Sequence, residues 1–75
     1  MPETFDLPIR EDMIRLGQLL KLTSLVDDGS AARAVIEAGE VTVDGVVETR
    51  RGRQVTPGMT VAYAGQQVRV TSPAP

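Results

Sequence analysis

The sequence feature that most constrains this chain is an Asp-Gly pair between two runs of β-branched residues. Val41 and Val43 precede Asp44-Gly45, and Val46 and Val47 follow it. A two-residue loop of this composition favours a type I′ turn, because Asp and Gly both tolerate positive φ. The pattern therefore predicts a β-hairpin in which Val41, Val43 and Val46 share one face, and another element must cover that face.

The first candidate for that cover is a helix predicted from Glu11 to about Leu22. Met13, Leu16 and Leu20 recur there at helical spacing, and acidic residues in the first turn suit the positive end of the helix dipole. Gly17 is unfavourable inside a helix by about 1 kcal/mol relative to Ala, so its presence indicates a close approach of another part of the backbone.

A second helix is predicted to begin near Ser30, which is a suitable N-cap residue, and to end at Gly39 in the αL conformation. Small residues on its apolar face would allow close packing against the first helix. The residues expected on that face are Ala31, Ala34, Val35 and Ala38, with Ile36 adding bulk.

Strand patterns occupy both ends of the chain. Residues 1–10 alternate apolar and polar side chains, and Pro8 fits an edge strand better than a central one. Pro57-Gly58 suits the centre of a type II turn, and two alternating segments follow it at residues 59–63 and 68–70. We expect an α+β fold with two helices packed on a small, bent, mainly antiparallel sheet. The single domain would cover 1–75, with a core at about 11–71 and a flexible tail at 72–75.

Composition limits the chemistry that this domain can perform. The 75 residues include no Cys and no His, which removes thiolate nucleophiles, the commonest general base and the commonest metal ligand. Acidic pairs occur at residues 11–12 and 27–28, where a helix start and a loop explain them. We therefore expect no enzymatic activity, cofactor or metal, although a carboxylate enzyme using Asp27 or Asp28 remains an alternative. No signal peptide or membrane-spanning run is present, so a cytoplasmic protein is expected.

Charge is distributed unevenly along the chain. Residues 1–48 contain ten acids and four bases and so carry −6, whereas residues 49–75 contain four arginines and no acid. Three of those arginines, Arg50, Arg51 and Arg53, crowd into four residues with no acid in the segment to compensate them. Guanidinium groups suit bidentate pairing with phosphate. With only one Phe and one Tyr, recognition would depend on the charge and shape of a structured RNA rather than on base stacking.

Two other interpretations of the arginine segment stay open at this point. The charges could be a solvated run that simply neutralises the acidic half of the chain. Alternatively, the domain could be a small protein-interaction module whose arginine-rich loop docks on an acidic protein partner.

Several motifs resemble the RNA-binding domain named after bacterial ribosomal small-subunit protein four (S-four). Arg15-Leu16-Gly17 is similar to the family's Arg-Leu-Asp in the first helix, and the family's Val-x-Val-Asn-Gly hairpin is matched by the segment from Val41 to Gly45. The Ser-x-Ala-Arg-x-x-Ile-x-x-Gly run is matched by Ser30, Ala32, Arg33, Ile36 and Gly39. Gly29 stands where the wider family commonly has an arginine, and Asp44 replaces the usual Asn.

Residues 16–22 and 48–53 further resemble the small stand-alone YbcJ-type branch of that family. The resemblance implies an αL-type RNA-binding motif, with Lys21, Arg33, Arg50, Arg51 and Arg53 on one basic surface. We expect a monomer that binds structured RNA, either ribosomal or transfer RNA, with a possible ribosome or RNA-processing complex as its context. About five phosphate contacts would give a log–log salt slope on the order of −3 to −5.

Overall fold

The computed structural model describes residues 3–73 of the chain. Two helices and seven strands follow one another in that range. They are β1 (Glu3–Pro8), β2 (Ile14–Arg15), α1 (Leu16–Leu22), α2 (Gly29–Glu37), β3 (Thr42–Val43), β4 (Val46–Val47), β5 (Gln54–Val55), β6 (Thr60–Tyr63) and β7 (Gln66–Thr71). Within residues 3–73, neither helix has the length and hydrophobicity needed to span a membrane.

The strands form a five-stranded sheet in the order β1-β7-β6-β3-β4 and a separate two-stranded sheet of β2 and β5. β1 pairs with β7 in parallel, and the other pairings are antiparallel. The predicted α+β class with a mainly antiparallel sheet is confirmed, and β1 lies at an edge as expected. Residues 74–75 of the predicted tail lie outside the described residues.

The hairpin forms at the predicted position. Asp44 and Gly45 have φ values of 52° and 84°, and Val43 pairs with Val46 across the turn. Asp44 also fixes the turn to β6, since its backbone N–H donates to the Thr60 carbonyl at 2.7 Å and its Oδ1 accepts from the Thr60 N–H at 2.9 Å. The expected burial of Val46 is wrong, because this residue of the edge strand β4 is 69% exposed.

The first helix is shorter than predicted and begins at Leu16 rather than Glu11. Ile14 and Arg15 instead form β2, in which Ile14 lies opposite Val55 and Arg15 opposite Gln54. Ile14 is buried, so its apolar character reflects packing in a strand and not in a helix. Pairing with a distant strand overrides the local helical periodicity at this point.

The second helix begins at Gly29, because the N-cap is Asp28 and not Ser30. The Asp28 carboxylate accepts a hydrogen bond from the Ala31 N–H at 2.8 Å. Gly39 ends the helix as predicted, with φ of 78° and its N–H donating to the Ile36 carbonyl at 3.1 Å.

The buried face of α2 differs from the predicted one. Ala32 and Ile36 are fully buried and define the face, whereas Ala34 and Ala38 are exposed. The helix is therefore turned so that its largest apolar side chain, Ile36, enters the core. Burial of the larger side chain removes more apolar surface from water than burial of alanines would.

The core is entirely aliphatic and draws on both helices and both sheets. Its largest fully buried side chains are Leu16, Leu19, Leu20, Ile36, Val41, Val55, Val61, Val68 and Val70. The predicted type II turn is also present, since Gly58 has φ of 100° and the Met59 N–H donates to the Thr56 carbonyl at 3.0 Å.

Candidate functional site

The segment 49–53, here called the arginine loop, lies between β4 and β5 and packs against the start of α1. It turns tightly, because the Arg53 N–H donates to the Arg50 carbonyl at 3.2 Å. Its carbonyls accept hydrogen bonds from the first turn of α1: Leu16 N–H donates to Arg53 at 2.9 Å and Gly17 N–H to Arg51 at 3.0 Å. These N–H groups have no partner within their own helix. The contact therefore satisfies the helix start and holds the loop in place.

Gly17 permits this contact. A Cβ atom at position 17 would lie 2.6 Å from Cγ and 3.3 Å from Cδ of Arg51. The predicted close approach at this glycine is confirmed, and the neighbour is the arginine loop. The Arg51 side chain consequently lies across the first turn of α1.

The arginines of the loop are not uncompensated, because Glu48 lies immediately before it and is only 8% exposed. Its Oε2 accepts from the backbone N–H of Arg50 at 3.0 Å and from Arg50 Nε at 3.2 Å. Its Oε1 accepts from Arg53 Nη1 at 3.1 Å and from Arg50 Nη2 at 3.4 Å. The expectation of an uncompensated cluster is therefore wrong for Arg50 and Arg53. Arg51 forms no ion pair with any residue in the range 3–73.

These hydrogen bonds determine the charge state of the Glu48 carboxylate. Hydrogen bonds from the Arg50 side chain and then from its backbone N–H lower the pKa of Glu48 from 4.5 to about 2, with a smaller contribution from Arg53 and an opposing one from burial. Glu48 is thus charged at neutral pH and neutralises one of the two guanidinium charges that it binds. The sequence feature that could have predicted this cluster is the position of Glu48, two residues before Arg50.

A cleft of about 330 Å³ opens between α1, the start of α2 and the arginine loop. It is lined by Arg15, Gly17, Gln18, Lys21, Gly29, Ala32, Arg51 and Gly52. Three of these residues are cationic, and this lining, within the described part of the chain, includes no carboxylate. The cleft is therefore electropositive and suited to an anionic group.

Arg15 and Gln18 line the cleft although neither was predicted as a site residue. Arg15 Nη1 donates to the Gly52 carbonyl at 3.0 Å, so this side chain also holds the arginine loop. Arg15, Gln18 and Lys21 are spaced three residues apart and all are exposed. That polar i, i+3, i+6 spacing beside an apolar stripe was the signal that could have identified them.

The structure brings together only some of the residues predicted for the basic surface. Lys21 and Arg51 line the cleft, and Arg50 and Arg53 lie on the same loop but bind Glu48. Arg33 is not among the cleft residues. Its Nε lies 2.9 Å from Glu37 Oε2, in an exposed i, i+4 ion pair on α2.

Asp28, which with Asp27 was a candidate for a carboxylate site, has a structural role as the N-cap of α2. Among residues 3–73, no group of three or more acidic side chains is arranged to hold a metal ion.

A sequence comparison places this small α+β domain in a family. The family model described as the S4 domain matches residues 7–71. The chain belongs to the S4 domain family, as the motifs predicted.

Individual relatives agree with that assignment. The Escherichia coli (strain K12) protein named "Putative RNA-binding protein YbcJ" is 41% identical over 59 residues, which cover 79% of this chain and 84% of the relative. The "Probable ribosome maturation protein RlbA" of Bacillus subtilis (strain 168) is 37% identical over 57 residues, covering 76% of this chain and 80% of the relative.

A solved structure extends the similarity to three dimensions. The solution structure of YbcJ from E. coli, described as containing an αL motif involved in RNA binding, has a TM-score of 0.67 and 38% identity. The match covers 96% of this chain and 90% of that one. The predicted resemblance to the YbcJ-type branch is confirmed.

Proposed function

We propose that this chain is a non-catalytic RNA-binding protein that recognises structured RNA through the cleft between its helices and the arginine loop. The observation that carries the proposal is the arrangement of Arg15, Lys21 and Arg51 around one cleft without a carboxylate in its lining. The names of the relatives support it, since one is described as RNA-binding and another as a ribosome maturation protein.

In this proposal the cleft cations make the primary phosphate contacts. Arg51 crosses the first turn of α1, and Lys21 lies at the other end of the same helix. Arg15 is held by its hydrogen bond to Gly52, so less side-chain freedom is lost when a phosphate arrives. Pre-positioned cations of this kind favour an RNA whose folded backbone matches their spacing.

Arg33 would extend the surface only after exchanging its partner. Its ion pair with Glu37 is exposed, with 63% and 57% of the two side chains accessible. Exposed pairs of this type contribute little, about 0–1 kcal/mol. A phosphate near α2 could therefore displace Glu37 at small cost.

Ribosomal RNA is the structured RNA that we favour, with transfer RNA as the second candidate. The ribosome maturation name of the B. subtilis relative supports this preference. A ribosome or an assembling ribosomal particle in the cytoplasm is the corresponding proposed context.

Salt dependence gives the sharpest test of the cleft. Each phosphate contact contributes about −0.7 to −0.9 to the slope of log affinity against log salt, so three cleft cations give about −2 to −3. We expect Arg51→Ala to weaken binding to a labelled bacterial ribosomal RNA pool and to reduce the slope by about 0.7 to 0.9.

The matched control is Arg69→Ala, which removes the same charge from an exposed position on β7. Arg69 lies opposite Asp6 in β1 and Thr60 in β6, outside the cleft lining. Arg69→Ala should leave the slope almost unchanged. Equal effects of the two substitutions would show that net charge alone drives binding, and the cleft would then not be the site. Salt-sensitive capture of an acidic protein, with RNA binding indifferent to Arg51, would favour the protein-interaction alternative.

A further inference from the structure

Glu48, Arg50 and Arg53 form a second group of charged side chains, joined by ion pairs and outside the lining of the cleft. One carboxylate accepts four hydrogen bonds from the two arginines, three of them from guanidinium nitrogens. The accessibility of the partners is uneven: the side chain of Glu48 is 10% exposed, whereas those of Arg50 and Arg53 are 74% and 35% exposed. The anion is thus enclosed while the cations remain near the surface.

A carboxylate and a phosphate compete for the same face of a guanidinium group, because both bind it through paired N–H···O hydrogen bonds. Arg50 already directs Nε and Nη2 to Glu48. An RNA phosphate that approaches this loop therefore meets one net positive charge from the cluster rather than two. Arg51, which lies between the two arginines in sequence, keeps its full charge and is free of such a competitor within residues 3–73.

Building on the proposed function, we propose that Glu48 is a specificity-determining residue of the RNA site. Its carboxylate occupies Arg50 and Arg53 as an RNA phosphate would, which suppresses charge-driven binding by the arginine loop. Recognition then depends on Arg51 and the cleft, which requires a folded RNA with phosphates at matching positions.

The central variant is Glu48→Gln, which keeps the size of the side chain and one acceptor oxygen but removes the charge. Its matched control is Glu3→Gln, the same chemical change on β1, at the opposite edge of the five-stranded sheet from β4. The probes are a uridine homopolymer, as unstructured RNA, and a labelled bacterial ribosomal RNA pool. Both are titrated at about 50 and 200 mM salt, the range in which phosphate contacts change affinity measurably.

We expect Glu48→Gln to bind the homopolymer more tightly than the unmodified chain does, and to lose its preference for ribosomal RNA. At least one additional phosphate contact should steepen the salt slope by about 0.7 to 0.9, so that affinity falls about three-fold more across that salt range. Glu3→Gln should leave both the slope and the preference unchanged. Weaker binding of both RNAs by Glu48→Gln, with an unchanged slope, would overturn the proposal, and so would equal effects of the two variants.

A second measurement uses the unmodified protein, so it tests the role of Glu48 even if Glu48→Gln fails to fold. Arginine Nε–H resonances are followed by NMR during titration with ribosomal RNA. The signals of Arg15 and Arg51 should shift, while that of Arg50 stays near its position because Glu48 retains it. A dominant shift at Arg50 would refute the role of Glu48 as a competitor.

Failure of this inference is distinguishable from failure of the proposed function. Loss of affinity in Arg51→Ala without a steeper slope in Glu48→Gln would leave the cleft as the RNA site and reject the role of Glu48. Absence of RNA binding by the unmodified chain would reject both.

Discussion

Replacing Gly17 with Ala should have two opposing effects on stability at the start of α1. The helix propensity of Ala is favourable, and a steric clash with the Arg51 side chain is unfavourable. Ala in a helix is favoured over Gly by up to about 1 kcal/mol. The added Cβ, however, would lie 2.6 Å from Arg51 Cγ, which is too close for two non-bonded carbon atoms. The Arg51 side chain must then leave its position, and an off-rotamer arrangement costs of order 0.5–1.5 kcal/mol. The two terms nearly cancel, so we expect Gly17→Ala to change the free energy of unfolding by less than about 1 kcal/mol.

Gly17→Ala should have a different effect on the free energy of unfolding when it is made in the Arg51→Ala protein. The Cγ and Cδ atoms are then missing, and the nearest remaining atom is the carbonyl oxygen of residue 51 at 3.6 Å, an ordinary contact distance. Gly17→Ala should therefore stabilise the Arg51→Ala protein by up to about 1 kcal/mol. For a domain of this size, that corresponds to a rise in Tm of roughly 4–8 °C.

The assay is a double-mutant cycle over the four proteins, with denaturant unfolding and RNA titration as its two measurements. We expect Gly17→Ala to weaken RNA binding and flatten the salt slope as Arg51→Ala does, because it displaces that side chain. The double variant should bind no worse than Arg51→Ala alone. Equal stabilisation by Gly17→Ala in both backgrounds would refute this reasoning, since Arg51 would then not lie over the glycine.

Two further predictions concern stability. The pKa of Glu48 is about 2 in the fold against an ordinary value of 4.5, so its charged form stabilises the fold above pH 4.5 and that contribution is lost as the pH falls towards 2. The difference in Tm between the unmodified chain and Glu48→Gln should narrow across this window in thermal melts, whereas a constant difference would contradict the assigned hydrogen bonds. Asp28→Ala should lower the free energy of unfolding by about 1 kcal/mol through loss of the α2 N-cap, measured by denaturant unfolding. Asp27→Ala is the control, and an equal loss in both would contradict the capping role.

The motifs that carried the resemblance were predicted correctly because each of them reflects a local backbone conformation. Asp44, Gly45, Gly58 and Gly39 each stand where the chain needs a residue that tolerates positive φ. Such a requirement depends on the residue itself and its immediate neighbours. Local sequence therefore predicted the hairpin, the type II turn and the end of α2 at the correct residues.

Predictions that depended on helical periodicity were less accurate. Ile14 fits a helical stripe and also a two-residue strand, and only its pairing with Val55 decides between them. Ala34 and Ile36 are both apolar and were both predicted on the buried face, but packing buries Ile36 and leaves Ala34 exposed. Short apolar patterns are ambiguous in this way because several arrangements can bury them.

The sequence by itself determined the turns, the fold class and the family, together with the presence of an arginine-rich loop. Tertiary structure decided which cationic side chains lie around the cleft and which are paired with a carboxylate. Arg15 reaches Gly52 across 37 positions in the chain, and the Arg51 carbonyl caps a helix that begins far earlier in the sequence. Only the folded arrangement shows that Glu48 holds Arg50 and Arg53 while Arg51 remains available. Turn chemistry acts over neighbouring residues, whereas the electrostatics of a site depend on distances that the fold alone sets.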